Sequence, residues 1–356
     1  MNASQNERRA VGLFVAMILA GIGLLAIPWF LTPPAYLDLA LRDAVFASDL
    51  SKHRVTVTDD QTGKTMSAAV QRIGGGFVAR LGRINSGSGV YTARIDGYKP
   101  GTARVQAAAL QQVRVPVDLT PAFGRLELSI VDATSTGNPV AATVNEGSRG
   151  VTSEPQRTLT LDLPPGTHRF SATAAGFCES NREFEIREGK VTKAALPMSP
   201  DLKDDEIARF VLGWRNEPRD LDTHFRKMDA VGFPHPAHVF FGHKIGVLPN
   251  NVSFARLDVD ELYPGAYETL TVRNSAVGDF VYFVHAYQGT GMIGDAGATV
   301  QVYTRGCQVK TFSPPSNCGF RVWTVANLHY GNGRVETTDV QQCGPEGTTV
   351  IEKPAQ

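Results

Sequence analysis

Two short acidic segments carry the strongest chemical signal in this chain, Asp220-Leu-Asp-Thr-His224 and Leu257-Asp-Val-Asp260. In an extended strand residues i and i+2 face the same way. Asp220, Asp222 and His224 would then share one face, and Asp258 and Asp260 another. If the two segments are neighbours, four carboxylates converge, with Glu268 close behind. Uncompensated, their repulsion is costly, and a hard cation with oxygen ligands relieves it. The pattern nominates Asp220, Asp222, Asp258, Asp260 and Glu268 as ligands for Ca²⁺. The alternative is that the same aspartates cap turns, accept backbone N–H groups, or pair with Arg215, Arg219 and Arg256.

Histidines gather in the same region. Six of the eight lie beyond residue 200, and His235, His238 and His243 fall within HPAHVFFGH, after His224. Three or four such side chains can hold zinc, but the prolines around His235 read as a turn, where histidines are ordinary loop residues. No Gly-x-Ser-x-Gly, His-Glu-x-x-His or P-loop pattern is present, so the chain reads as a non-enzyme. Among the aromatics, Phe240, Phe241, Tyr263, Tyr267, Tyr282, Tyr287, Tyr303, Trp323 and Tyr330 supply either a core or sugar- and protein-contacting faces.

The elements that must position these residues are strands. The chain has 356 residues with 35 Gly and 21 Pro, above ordinary usage, and short β-branched runs between turn signals. Lys plus Arg equals Asp plus Glu at 35 each, a balance that argues against a nucleic-acid partner. Ala10 to Leu31 carries no charge over 22 residues, about 33 Å as a helix and enough to span a bilayer. Arg8 and Arg9 just before it place the N-terminus in the cytoplasm. A cleaved signal peptide would have a shorter apolar run with a small-residue site close behind. The expectation is a cytoplasmic stretch at 1–9, a transmembrane helix at 10–32 and a juxtamembrane helix or linker at 33–50. The remainder would lie in a bacterial periplasm, tethered to the inner membrane. That compartment permits disulfides. Cys307 and Cys318 flank Ser313-Pro-Pro-Ser316 and could staple a hairpin, leaving Cys178 with Cys343, although four cysteines allow three pairings.

Alternation of period two marks Arg54–Thr58, Val90–Ile95 and Val113–Val117 as half-buried strands. The block from 51 to 121 recurs over 122–200. Val55–Gly63 reads like Leu128–Gly137, Tyr91–Tyr98 like Phe170–Phe177, and Val117–Pro121 like Leu196–Pro200. With Gly137-Asn-Pro-Val-Ala-Ala, Leu161-Asp-Leu-Pro-Pro-Gly-Thr-His168 and Ala175-Gly-Phe177, the second copy resembles the transthyretin-like modules attached to carboxypeptidases and many envelope proteins. The resemblance implies a spacer or binding module. Residues 201–356 resemble the YfaP-like family of bacterial envelope proteins, through Trp214, Pro218 to His224, Leu257 to Asp260, Glu268-Thr269 and Tyr282 to Tyr287. Where that family has Gly-Pro before the Glu, this chain reads Gly265-Ala-Tyr-Glu268. The resemblance implies a β-sandwich in an extracytoplasmic setting.

The expected architecture is mainly β, one transmembrane helix followed by three antiparallel β-sandwiches. The expected function is that of a membrane-anchored periplasmic accessory protein packing its sandwiches on a larger membrane protein complex. The alternative is a calcium-dependent glycan- or ligand-binding envelope module.

Overall fold

The computed structural model describes residues 33–152, 154–229 and 237–345. The expected transmembrane segment at 10–32 lies outside the described residues, as does the 1–9 stretch. Among the described residues no helix is long and apolar enough to cross a membrane. The regular secondary structure of the described residues is almost wholly strand. The described residues divide into two compact units, with the boundary between Phe123 and Gly124.

The first unit contains β1 (Ala35–Asp43), β2 (Arg54–Asp59), β3 (Thr65–Ile73), β4 (Gly76–Ile84), β5 (Gly87–Ile95), β6 (Gly101–Ala107) and β7 (Gln112–Leu119). They form one seven-stranded sheet in the order β6-β5-β2-β3-β4-β1-β7. The sheet encloses a single core because β3 changes partner along its length. Its first half pairs with β2 and its second half with β4. The segment expected to be a juxtamembrane helix or linker at 33–50 is instead largely β1. Leu37, Leu39 and Leu41 are buried at every second position, the period of a strand, and β1 is held by β4 on one side and β7 on the other.

The second unit opens with β8 (Gly124–Asp132), β9 (Thr143–Glu146), β10 (Arg149–Gly150), β11 (Thr158–Leu163), β12 (Gly166–Thr173), β13 (Ser180–Ile186) and β14 (Val191–Met198). Their sheets run β10-β9-β12-β13 and β11-β8-β14. The topology of the first unit recurs here. β8 lies between an antiparallel β11 and a parallel β14, as β1 lies between β4 and β7. Two details coincide as well: the isolated bridges Tyr98–Pro121 and Phe177–Pro200, and the bonds Lys99 N–H to Thr120 O and Cys178 N–H to Ser199 O. The expected alignment of Val55–Gly63 with Leu128–Gly137 is out of register by one strand, since β8 is the counterpart of β1 and β2 answers to β9. Nor are these modules purely antiparallel. Each brings its first and last strands together in parallel, which the long intervening chain permits.

The rest of the second unit comprises eleven strands: β15 (Glu206–Gly213), β16 (Asp220–Lys227), β17 (His238–Val239), β18 (Ile245–Val247), β19 (Ser253–Val259), β20 (Tyr267–Arg273), β21 (Gly278–Gln288), β22 (Thr299–Thr304), β23 (Gln308–Phe312), β24 (Val322–Gly331) and β25 (Arg334–Gly344). They make a sandwich of a six-stranded sheet, β18-β19-β20-β15-β22-β23, and a five-stranded sheet, β17-β16-β21-β24-β25, antiparallel throughout. Trp214, Trp323, Phe210, Phe225, Phe254, Phe280 and Tyr282 fill the space between them. Rings stack across the gap, Phe210 on Tyr282 at 4.3 Å between centroids. Each such side chain removed from water contributes about 1.5–3 kcal/mol.

The β8–β14 module packs on this sandwich. Arg182 is buried between them and donates to three backbone carbonyls, Ala195 O (2.7 Å), Trp214 O (3.2 Å) and Ala266 O (2.7 Å). Burial and the nearby Arg215 pull its pKa down to about 10. Ala195 N–H reaches Gly265 O at 2.9 Å. A side chain on Gly265, which sits at φ +89°, would strike the Lys193 carbonyl.

The disulfides are Cys178–Cys307 and Cys318–Cys343, not the expected Cys307–Cys318 and Cys178–Cys343. Cys307 sits in the turn between β22 and β23. The five residues of β23 then carry the chain about 17 Å away before the Pro-rich turn, so Cys318 meets β25 instead. Cys178–Cys307 ties the β8–β14 module to the sandwich. Peptide mapping without reduction should return these two pairs; a Cys307–Cys318 peptide would refute the arrangement. Removing Cys318–Cys343 by C318S/C343S should lower the sandwich's unfolding free energy by about 3–4 kcal/mol, given the loop it closes, read by fluorescence of Trp214 and Trp323.

Candidate metal centre

The acidic motif sits where one edge of the five-stranded sheet is left open. Along β16, Leu221 and Phe225 face the core, which turns Asp220, Asp222 and His224 to the other side. The β17 strand pairs only with Phe225 and Arg226, so the first half of β16 has β21 as its one strand partner. The exposed edge is met from the opposite sheet. Glu268 shares the inward face of β20 with Leu270 and Val272, is fully buried, and accepts the Thr223 N–H through Oε2 at 2.6 Å. This bond joins the two sheets at the open edge.

Asp260 follows β19 and comes to the same place. Oxygens of Asp222, Asp260 and Glu268 lie within 4.8 Å of one another. Asp220 is close enough for its charge to act on Asp222. Asp220, Asp222 and Glu268 are 3%, 2% and 0% exposed. Each of the four carboxylates has one buried oxygen, Asp220 Oδ1, Asp222 Oδ2, Asp260 Oδ1 and Glu268 Oε1, that receives no donor among the described residues. Lys244 pairs with Asp260 at 2.8 Å, and Arg219 offsets part of the charge at Asp220. Two cations against four carboxylates leave a deficit of two charges.

Asp258, nominated with this set, is not part of it. The pairing of β19 with β20 slips between Leu257 and Val259. Leu257 faces the core, but Val259 packs in the separate cluster on the outer face. The extra residue resets the alternation, turning Asp260 inward and leaving Asp258 outside. There Asp258 accepts from Arg256 Nε at 2.6 Å and Thr271 Oγ1 at 2.5 Å. For this residue the ion-pairing alternative holds. Arg215 pairs with Glu183 rather than with an aspartate of the motif.

The protonation of the cluster follows from its burial. Desolvation, then the charges of Asp220 and Asp260, push the Asp222 carboxyl up to about 8. Burial and the charges of Asp222 and Asp260 raise Glu268 well above the ordinary carboxylate range, and burial followed by Asp260 raises Asp220. Facing carboxylates are all acceptors, so either protons or a cation must sit among them. The donor set is all oxygen, hard and partly preformed, and suits Ca²⁺ better than Mg²⁺, which keeps its waters in a strict octahedron.

One functional candidate escapes the sequence reading. His285 on β21 pairs with Asp222 on β16, and ligand atoms of Asp222, His224 and His285 fall within 4.8 Å of one another. The available signal was a histidine inside the apolar run Phe280-Val-Tyr-Phe-Val-His-Ala-Tyr287. Of the HPAHVFFGH histidines, His238 joins His224 through Nε2···Nδ1 at 2.9 Å, His243 lies near Phe240, and His235 is outside the described residues. A third grouping, Cys178, Asp201 and Cys307, has both sulfurs engaged in a disulfide.

With divalent ions chelated, the cluster keeps protons that the unfolded chain gives up near pH 4. The folded state then binds more protons than the unfolded one up to about pH 8, and stability falls as pH rises through that window. His224 acts oppositely below its usual 6.5: burial, then His238 and His285, hold it neutral, so acid favours the unfolded state there. The clean interval is pH 6.5–8. In chelator, the unfolding free energy followed by tryptophan fluorescence should decline across it, by up to about 1.4 kcal/mol per pH unit for each proton retained. Asp222→Asn should flatten the decline, and a rise over this interval in the wild type would contradict the assignment.

No family model matches the chain, and no curated protein matches it by sequence. Solved structures of which parts are similar include a homologue of the telluride resistance protein TerD from Streptomyces coelicolor A3(2), 16% identical, with TM-score 0.32 over 41% of this chain and 95% of that one. Others are a putative cell adhesion protein from Bacteroides ovatus, 10% identical, TM-score 0.31, 47% and 95% covered, and a fimbrial assembly protein from Parabacteroides distasonis, 10% identical, TM-score 0.30, 46% and 91% covered. Likeness of this degree transfers no function, so the site speaks through its own chemistry.

Proposed function

We propose that this chain is a non-catalytic, extracytoplasmic structural protein whose C-terminal sandwich binds a calcium ion. The observation that carries the reading is the set of four carboxylates, Asp220, Asp222, Asp260 and Glu268, each with a buried oxygen lacking a donor. A dication matches the two-charge deficit and supplies what those oxygens lack. The ion would tie β16 of one sheet to β20 and the end of β19 of the other, closing the open edge of the sandwich. Packing by Arg182 and the Cys178–Cys307 bond supports a load-bearing role, since they make one body of the β8–β14 module and the sandwich. Anchoring through 10–32, a periplasmic location and docking on a larger membrane complex complete the proposal, as does the YfaP-like character suggested by Pro218 to His224.

Calcium-dependent glycan binding is the second reading, and it draws on exposed aromatics at the site. Tyr263 is 57% exposed beneath Arg219, and Tyr287 is 46% exposed against Phe241. Asp222 and Glu268 are buried too deeply for a sugar hydroxyl to reach an ion between them. In that case the ion orders the site and the tyrosines alone meet the sugar.

Calcium should raise the melting temperature of the full chain in mild detergent, by the equivalent of about 2.7 kcal/mol at a hundredfold excess over Kd. Glu268→Gln and Asp222→Asn should abolish that response, while Asp258→Asn keeps it. Indifference of the wild type to calcium and chelator would remove the metal reading. For the accessory role, the chain extracted from its native membranes should migrate with a larger particle at constant stoichiometry. Migration alone would argue against it.

A further inference from the structure

We infer that Asp222, His224 and His285 form a second metal site, one for a nitrogen-preferring transition ion of the zinc class, beside the all-oxygen site and sharing only Asp222 with it. The strand pairing places the three residues together. Asp222 and His224 are alternate residues of β16, and His285 on the adjacent β21 is paired directly with Asp222. Their ligand atoms lie within 4.8 Å of one another. Tetrahedral zinc with nitrogens at about 2.0–2.1 Å would bring them to about 3.4 Å apart.

His224 is prepared as a ligand rather than as a structural histidine. Its ring is held between Phe283 and Phe240, with centroids at 4.6 and 5.6 Å and planes nearly parallel. Its Nδ1 is engaged by His238 Nε2 at 2.9 Å. The other nitrogen, Nε2, is buried and has no hydrogen-bond partner among the described residues. When Nδ1 donates its proton to His238, Nε2 carries a bare, buried lone pair. This is the outer-shell arrangement by which proteins fix the tautomer and orientation of a metal-bound imidazole. A histidine serving only to fill space would not leave its second nitrogen buried and unmet, since that loss costs about 1–3 kcal/mol.

Ligand chemistry separates the two sites. Two imidazoles and one carboxylate select a borderline ion over Ca²⁺, whereas Asp220, Asp260 and Glu268 offer oxygen alone. With three protein ligands a fourth tetrahedral position is left for water or for an incoming group. Asp222, with its two oxygens, can bridge both ions.

Co²⁺ serves as the optical probe, added to the full untagged chain in detergent with calcium saturating. The wild type should take up one equivalent with the intense visible bands of a low-coordinate ion, and Zn²⁺ should bleach them. His285→Gln, at a half-buried position, should weaken uptake by about tenfold or more, with folding checked by tryptophan fluorescence. His243→Gln should leave uptake unchanged. Glu268→Gln should lose calcium-dependent melting yet keep the cobalt bands, so that failure of one site is told apart from failure of the other. Absence of bands in the wild type would overturn the inference. So would unchanged uptake in His285→Gln, or loss of uptake in His243→Gln or Glu268→Gln.

Discussion

A carboxylate buried between two sheets must be given donors, a proton or a cation, and Glu268 has one donor where it has room for more. Its Oε2 takes the Thr223 N–H, an edge group of β16 that no strand satisfies. Its Oε1 looks into a space shared with Asp222 and Asp260. That contact joins the two sheets of the sandwich outside their aromatic core. The surrounding features follow from it. The edge of β16 must stay open for Glu268 to reach it, and β17 is accordingly short.

The cluster is a place where stability is exchanged for binding capacity. A sandwich with this core does not need three buried acids and a half-buried fourth, and an apolar edge would pack more cheaply. Holding them together is the kind of local conflict that marks a functional position rather than a folding requirement. The rest of the domain is built to keep the conflict in place. Tyr282, stacked on Phe210, bonds the Thr223 hydroxyl at 3.1 Å, and Phe225 stacks on Phe280 at 4.9 Å. The strand bearing Asp220 and Asp222 is thereby fixed from its apolar face. Behind it, Arg182 and Tyr267 lock the β8–β14 module to the turn that precedes Glu268.

The repeat carries a lesson about what short-range similarity records. The matches at β5 with β12 and at β7 with β14 are structural equivalences, because both modules close with the same aromatic-to-proline bridge. The match at β2 with β8 is not, because two strands ending in a Thr-Gly turn look alike wherever they fall in the topology. A module that begins and ends with parallel neighbours hides its first strand from a sequence reading. Leu37, Leu39 and Leu41 look like a helix approach only if the partner strands far along the chain are unknown.

Composition and alternation by themselves determined that this protein is built of strands and that Asp220, Asp222 and His224 share a face. Those properties are set by the period of the backbone within a few residues. Tertiary structure alone decided that Asp258 leaves the cluster while Asp260 enters it, since the slip between Leu257 and Val259 arises from pairing with β20. It also decided that His285 joins Asp222 across a strand pair, and that Cys178 meets Cys307. Each of these depends on which distant segments lie side by side. A strand's own residues settle which way a side chain points, but not what it will find there.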